Sequence, residues 1–275
     1  MIFRLIFIGF ISLLASVNTT AAPNLVVSIK PIHSIVSNIT QGVTTPALLL
    51  ENNQSPHHFH LKPSQLSLIE QADLVISIHP NFEAGLAKVL NNIDNNKQLL
   101  VNDNNTTNHH TWLDIAHMQN FSKLLVDKLT QIDADNAITY KNNLASLNQK
   151  LEQLKHNTKQ QLSKYKTTPI ATFSNTFEHF IDTNQLHQSV VVTHSHGERL
   201  SIHKILNAKQ TMQKQQTKCL LSTVEIPKKR IKVLTEGLNI NSESIDIIGF
   251  NISKGAQHYF ELVNTITNKV SQCLK

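Results

Sequence analysis

The stretch DADNAITYKNNLASLNQKLEQLKHNTKQQLSKYK, residues 133–166, decides the fold because it separates two similar halves of the chain. It contains no glycine and no proline, and apolar residues recur along it at spacings of three and four: Ala137, Tyr140, Leu144, Leu147, Leu151 and Leu154. Such a stripe predicts one long helix. About 30 residues at 1.5 Å each give roughly 45 Å, enough to pass along two domains. The stripe loses its register at Thr158, which favours packing onto the same chain over a coiled-coil dimer.

On the N-terminal side of this helix, short apolar runs alternate with segments of helical spacing. The runs predicted as buried strands are Leu25 to Ile29, Pro46 to Leu50, Asp73 to Ile78 and Gln98 to Val101. The segments with helical spacing are Ser34 to Gln41, Ser64 to Gln71 and Phe82 to Asn92. This alternation predicts a parallel α/β sheet.

A second alternating series follows the helix. Its predicted strands are Ile170 to Phe173, Ser189 to Thr193, Lys218 to Leu221 and Ser244 to Ile247, and the chain closes on an amphipathic segment with Phe260, Val263, Ile266 and Val270. The predicted fold class is therefore α/β, with two parallel-sheet lobes joined by a long rigid helix. The expected boundaries are 23–132 for the N-terminal lobe, 133–166 for the linking helix and 167–275 for the C-terminal lobe.

The first 22 residues have the pattern of an export signal. Arg4 is followed by a 13-residue, mainly apolar run from Leu5 to Val17 and then by Ala21-Ala22. The run is shorter than the roughly 18 to 20 apolar residues that cross a bilayer. We therefore expect a cleaved signal peptide and a periplasmic product.

Composition narrows the class of partner. The net charge of +6 is spread along the chain, with one local basic run at residues 228–230 and few aromatic residues to stack bases, so nucleic acid is not an expected partner. The chain has fifteen histidines but only three tyrosines and one tryptophan, so its composition is biased towards the side chain that most often binds metals.

The chain has two cysteines, Cys219 and Cys273. In an oxidising compartment such a pair is expected to form a disulfide, and closing a loop of this length stabilises a fold by roughly 4 kcal/mol in the chain-entropy model. Two buried thiols or two soft metal ligands are the alternatives.

Metal-binding side chains cluster in loops. His57, His58 and His60 lie between Pro56 and Pro63, which disfavours a helix across them, and Ser64 is the expected N-cap of the helix that follows. His109 and His110 lead into Trp112, and Asp246 ends a predicted strand of the second half. Imidazoles and a carboxylate are good zinc ligands, and such strand-to-helix loops are where ligands bind in parallel sheets.

The ordered motifs resemble those of the zinc-uptake solute-binding proteins of bacterial ABC importers, the ZnuA-like members of a metal-receptor family that also includes manganese receptors. The matching pieces run over essentially the whole mature chain: Ser28-Ile29-Lys30-Pro31 with Gly42-Val43, the loop from His57 to Ser64, Ala72-Asp73-Leu74-Val75 with Pro80 and Glu83, His110-Thr111-Trp112-Leu113, Ile245-Asp246 with Gly249, and Cys273-Leu274-Lys275. The resemblance implies a metal cleft between the lobes and a monomeric receptor that captures Zn²⁺ and delivers it to an ABC permease.

The resemblance also implies a ligand set. The register of Leu61-Lys62-Pro63-Ser64 places the first ligand on His57. The position two residues before Trp112 places the second on His110, and the acidic ligand falls on Asp246. Cys219 and Cys273 match the cysteine pair of zinc-type members. The family's third ligand, a His or a Glu, falls on Ser174, and a neutral hydroxyl is a poor zinc ligand. A long His-rich insertion of other members is replaced by the short, Asn-rich segment 103–109.

Three alternatives remain for the gap at Ser174. Water can complete an open site formed by two histidines and one carboxylate. A substitute histidine can enter the cleft, with His58, His60, His194 and His196 as candidates. In the third alternative, the site has lost tight metal binding.

Two rival functions are considered beside the receptor. An open two-histidine, one-carboxylate site also occurs in zinc hydrolases, but the chain has no H-E-x-x-H or G-x-S-x-G motif, so an enzyme is not expected. The other rival is an envelope metal chaperone or adhesin that has lost transport. For the cargo, two nitrogen donors and one oxygen favour Zn²⁺ over Mn²⁺, which prefers oxygen-rich sites.

Overall fold

The computed structural model describes residues 21–51, 54–194 and 200–275. Most of the predicted signal peptide, together with His196, lies outside this part of the chain. Within it, no helix combines the length and the apolar character that crossing a membrane requires.

The N-terminal lobe is built on a four-stranded parallel sheet in the order β2-β1-β3-β4. Its strands are β1 (Leu25–Val27), β2 (Ala47–Leu48), β3 (Leu74–Ser77) and β4 (Gln98–Leu100), and its helices are α1 (Lys30–Ile39), α2 (Pro63–Glu70), α3 (Ala84–Leu90) and α4 (Ile115–Ile132). Every residue of β1 and β3 is buried, as expected for strands covered on both faces. Helix α1 starts four residues before the predicted Ser34, because Pro31 suits a first helical turn.

The C-terminal lobe repeats this plan with the strand order β6-β5-β7-β8. Its strands are β5 (Ile170–Ser174), β6 (Gln188–Thr193), β7 (Cys219–Thr223) and β8 (Asn241–Ile245), and its helices are α6 (Glu178–Thr183), α7 (Ile202–Lys214), α8 (Lys228–Thr235) and α9 (His258–Cys273). The predicted strand Ser244 to Ile247 was misplaced. Strand β8 lies at the edge of the sheet, where polar residues are tolerated, so its first residues lack the apolar pattern of a buried strand.

Helix α5 (Ala137–Leu162) joins the lobes. Its 26 residues are about 39 Å long, and short 3-10 turns flank it at both ends. The predicted stripe is buried at Tyr140, Leu147, Leu151 and Leu154, but it does not end at Thr158, which is buried together with Leu162. Helices α1, α4 and α9 pack against α5. One hydrophobic core therefore extends from the first strand to the C-terminal helix and holds both lobes.

Glu83 is a fully buried carboxyl group at the start of α3. Its Oε2 accepts hydrogen bonds from the backbone N–H groups of Ile78, at 2.6 Å, and His79, at 3.3 Å. These donors favour the charged form, but burial outweighs them and raises the pKa of Glu83 from 4.5 to about 7. The fold therefore favours a protonated side chain here.

Replacing Glu83 with glutamine is expected to flatten the pH dependence of stability. The folded protein keeps a proton that the unfolded chain releases, so the free energy of unfolding falls as pH rises from 4.5 to about 7. A shift of this size corresponds to about 3 kcal/mol. Glutamine stays neutral, so E83Q should be more stable than the wild type at pH 8 and similar at pH 4.5.

Urea unfolding of metal-free protein at both pH values checks this expectation. Glu70→Gln, at an exposed position of α2, is the matched control and should keep the wild-type slope. An E83Q variant that loses stability with pH as steeply as the wild type would contradict it.

Candidate metal centre

A narrow cleft of about 10 Å³, roughly the room that one water molecule occupies, lies between the lobes. The side chains that line it follow the carboxyl ends of strands in both sheets, which is where parallel α/β folds bind ligands. The N-terminal lobe contributes Pro56, His57, Phe82, His110 and Trp112, and the C-terminal lobe contributes residues 223–225, 245–248 and Phe250. The structure thus places all three predicted ligands, His57, His110 and Asp246, in one cleft.

His57 and His110 lie side by side, with their ring centroids 5.8 Å apart. The Phe82 ring meets both edge-on, at 4.4 Å from His57 and 5.1 Å from His110. His57 is half-buried and His110 is 4 % exposed. Both imidazole rings therefore pack against Phe82 on the same side of the cleft.

The loop that carries His57 ends differently from the sequence prediction. Lys62, not Ser64, is the N-cap residue of α2, because Pro63 occupies the first helical position, where its missing N–H is not needed. The Gln65 side chain accepts a hydrogen bond from the Lys62 backbone N–H at 2.8 Å. Gln65 Nε2 in turn donates to the Leu49 carbonyl at 2.6 Å, which ties the end of the histidine loop to the N-terminal lobe.

Asn108 determines which nitrogen of His110 faces the cleft. The amide nitrogen of Asn108 donates to the backbone oxygen of Asn175 and to Glu178 Oε2, both at 2.8 Å, so its oxygen faces His110. That oxygen lies 2.8 Å from His110 Nδ1 and is placed to accept a hydrogen bond from it. A proton on Nδ1 would make Nε2 the nitrogen that binds a cation, in the arrangement usual for metal-binding histidines.

Asn108 also connects the two lobes. Besides the two bonds of its amide nitrogen, its backbone oxygen accepts a hydrogen bond from His179 Nε2 at 2.8 Å. The side chain is 6 % exposed. A cleft histidine of the first lobe is thus oriented by contacts with the second lobe, next to Ser174.

Asp246 is held by the turn that follows it. Its Oδ1 accepts hydrogen bonds from the N–H groups of Ile248, at 3.0 Å, and Gly249, at 2.8 Å. Its Oδ2 accepts one from Phe250 N–H at 2.6 Å. Trp112 Nε1 donates to the Ile247 carbonyl at 2.9 Å, which ties this turn to the opposite lobe.

The remaining predicted candidates lie elsewhere. Ser174 is 2 % exposed, its hydroxyl is 2.9 Å from that of Thr176, and it is not among the residues that line the cleft. His58 is exposed at a second, outer pocket that it shares with His57, and His60 and His194 are exposed and outside the cleft lining. Across residues 21–51, 54–194 and 200–275, no three His, Cys, Asp or Glu side chains stand close enough to hold a metal ion together.

Glu225 is a cleft residue that the sequence analysis missed. It follows β7, the strand next to β8, and lines the same cleft as His57, His110 and Asp246. Its position just after the end of a buried parallel strand was the available clue, because such ends converge on one edge of a sheet.

The predicted disulfide is confirmed. Cys219 at the start of β7 and Cys273 at the end of α9 are bonded, with their Cα atoms 5.4 Å apart. Both residues are buried, away from the cleft lining. The bond fastens the C-terminal helix to the second sheet.

Comparison with known families gives a match over nearly the whole chain. A family model described as ZnuA, zinc-uptake complex component A, periplasmic, matches residues 25–273. The chain is 23% identical to the high-affinity zinc uptake system protein ZnuA of Yersinia pestis, over 96% of this chain and 95% of that protein. It is 21% identical to the ZnuA protein of Brucella abortus strain 2308, over 90% and 91% of the two chains.

Solved structures show the same two-lobed fold. A crystal structure of ZnuA superposes with a TM-score of 0.79 at 19% identity, covering 92% of this chain and 100% of that one. The solute-binding protein FpvC of Pseudomonas aeruginosa in complex with Mn²⁺ gives 0.80 at 17% identity, with 92% and 98% coverage. The laminin-binding protein Lmb of Streptococcus agalactiae, described as having adhesin and metal transporting activity, gives 0.77 at 15% identity, with 92% and 100% coverage.

Proposed function

The chain belongs to the zinc-uptake complex component A family, and from this premise we propose that it captures Zn²⁺ in the periplasm and delivers it to the permease of an ABC transporter. The family is one of solute-binding transport proteins and not of enzymes. Its members are periplasmic, which agrees with the export signal predicted for the first 22 residues.

The observation that carries the proposal is the convergence of His57, His110 and Asp246 on one cleft between two lobes. These residues come from three loops spread over some 190 positions of the chain. In the proposed division of labour, the N-terminal lobe (23–132) presents both nitrogen donors and the C-terminal lobe (167–275) presents the carboxylate. The linking helix (133–166) holds the lobes together.

Donor chemistry favours zinc as the cargo. Imidazole nitrogen suits Zn²⁺, whereas Mn²⁺ prefers sites made of oxygen donors. The hydrogen bond between His110 Nδ1 and the Asn108 side chain makes Nε2 the ring nitrogen that would bind zinc. Zinc in the cleft would be cargo, and a monomeric receptor is sufficient because both halves of the site belong to one chain.

The direct test is metal binding by the protein purified from the periplasm and stripped with a chelator. Competition with a calibrated chelator should show one Zn²⁺ per chain, bound more tightly than Mn²⁺. A strain that lacks the protein should grow poorly only when zinc is scarce. Stripped protein without zinc affinity would contradict the metal receptor, and normal zinc uptake in the deletion strain would contradict delivery to a permease.

A second function is kept because the Lmb neighbour is described as an adhesin as well as a metal transporter. In that case the protein binds zinc but serves as an envelope chaperone or adhesin. Normal uptake by the deletion strain, together with tight zinc binding by the purified protein, favours this alternative.

A further inference from the structure

We propose that the Glu225 carboxylate replaces the strong ligand that is missing at Ser174, so that the cleft binds its cation with two histidines and two carboxylates. The proposal rests on the metal-receptor function and names a residue of the same site. It differs from the three alternatives left open by the sequence, which completed the site with water, with another histidine, or not at all.

The first step concerns Asp246, whose carboxylate is largely occupied. A carboxylate offers about four lone-pair positions. Three are taken by backbone N–H groups of the following turn, two of them at Oδ1 and one at Oδ2. Asp246 therefore has about one position left, at Oδ2, and can bind a cation through one oxygen only.

The second step concerns the absent third ligand. Ser174 is buried at the end of β5, bonded to Thr176, and lies outside the cleft lining. With His57 and His110 as nitrogen donors, a cation held by these residues and Asp246 has three protein donors. Zinc sites that hold metal by protein alone have four.

We assign the fourth place to Glu225. In the cleft these side chains do not stand close enough together to hold an ion, so the Glu225 carboxylate has to turn inwards when a cation enters. The loop after β7 brings it to the cleft two residues after Thr223, the last residue of that strand, which pairs with Ile245 of β8. The Glu225 side chain is exposed and makes no hydrogen bond or ion pair with any residue that the structure describes. None of its lone pairs is thus used by the described part of the chain, and it can turn towards the cation without breaking a bond to that part.

The position of Glu225 also suits the capture of a cation that enters from solvent. It lines both the inner cleft, with His110 and Asp246, and the outer pocket, with His57 and His58. A carboxylate at this boundary can meet an incoming cation and then complete its coordination inside the cleft. Two oxygen donors beside two imidazoles would also admit Mn²⁺ better than the three-donor set does.

The experiment compares three proteins: the wild type, Glu225→Gln, and the control Glu236→Gln, which removes an exposed carboxylate of the same lobe outside the cleft. Chelator competition measures zinc affinity. E225Q should bind zinc at least tenfold more weakly, and E236Q should stay within twofold of the wild type. Because both positions are exposed, both variants should fold normally.

A second readout separates coordination from general charge attraction. Co²⁺ bound in place of zinc has a visible absorption spectrum that depends on the donors and their geometry. E225Q should change this spectrum, and E236Q should leave it unaltered. Unchanged zinc affinity or an unchanged Co²⁺ spectrum in E225Q, with the wild type binding normally, overturns the role of Glu225 but leaves the receptor function standing. A wild type without zinc affinity overturns both.

Discussion

Replacing His110 with alanine is expected to weaken zinc binding by roughly 100-fold or more. Residues that only orient a metal ligand typically contribute 10- to 100-fold to affinity, so loss of the ligand itself should exceed that range. His110 is buried, its Nδ1 is bonded to Asn108, and its ring packs 5.2 Å from that of Trp112. Chelator competition on metal-stripped protein measures the change.

Asn108→Ala should give a smaller loss, between 10- and 100-fold. The variant keeps the His110 ring but removes the oxygen that holds the proton on Nδ1. Nitrogen-15 chemical shifts of the imidazole then report a mixture of the two neutral forms, a change that general destabilisation does not produce. Asn105→Ala, exposed in the same loop, is the matched control.

Alanine substitutions in the loop from His57 to His60 test which of its histidines is the first ligand. H57A should weaken zinc binding about as much as H110A, whereas H58A and H60A should change it less than threefold, because His58 and His60 are exposed and outside the cleft. An H58A variant as weak as H57A would show that the assignment of the first ligand is wrong. Wild-type affinity in H110A would remove the site from this cleft altogether.

Removing the disulfide is expected to lower the free energy of unfolding by about 4 kcal/mol. The bond closes a loop with a sequence separation of 54 residues, and the entropy of the unfolded chain rises when that loop is released. The variant Cys219→Ala with Cys273→Ala avoids burying new hydroxyl groups at two positions that are 0% and 4% exposed. Urea unfolding in the presence of a chelator measures the loss, because bound metal would add its own stabilisation.

Reductant provides the control for this prediction. The wild type unfolded with a strong reductant should approach the midpoint of the double variant, and the variant itself should not respond to reductant. Zinc affinity of the folded variant should stay close to that of the wild type, since neither cysteine lines the cleft. A double variant within 1 kcal/mol of the wild type would show that packing of α9, and not the cross-link, holds the C-terminus.

Much of the fold could be predicted because it depends on local pattern. The two series of buried strands and the stripe of the linking helix are properties of short windows, and the structure confirms both. Errors occurred where local pattern was weak. Strand β8 has the polar sequence of an edge strand. Thr158 is buried on α5, the helix against which α1, α4 and α9 pack.

The lining of the cleft was predicted only in part. His57, His110 and Asp246 carried recognisable motifs, and the structure brings them to one cleft. Asn108 and Glu225 carried none. Asn108 orients His110 through residues 67 and 70 positions away, and Glu225 enters the cleft because β7 lies between β5 and β8 in the sheet.

The sequence by itself determined the α/β class, the two lobes, the helix between them, the cysteine pair and the family, because hydrophobic periodicity and short motifs are written along the chain. Only the tertiary structure decided which polar groups are still available for a cation. It buries Ser174 against Thr176, uses three positions of Asp246 for backbone hydrogen bonds, and leaves Glu225 unbonded among the described residues. The physical reason is that lone-pair occupancy and burial depend on which distant loops pack together.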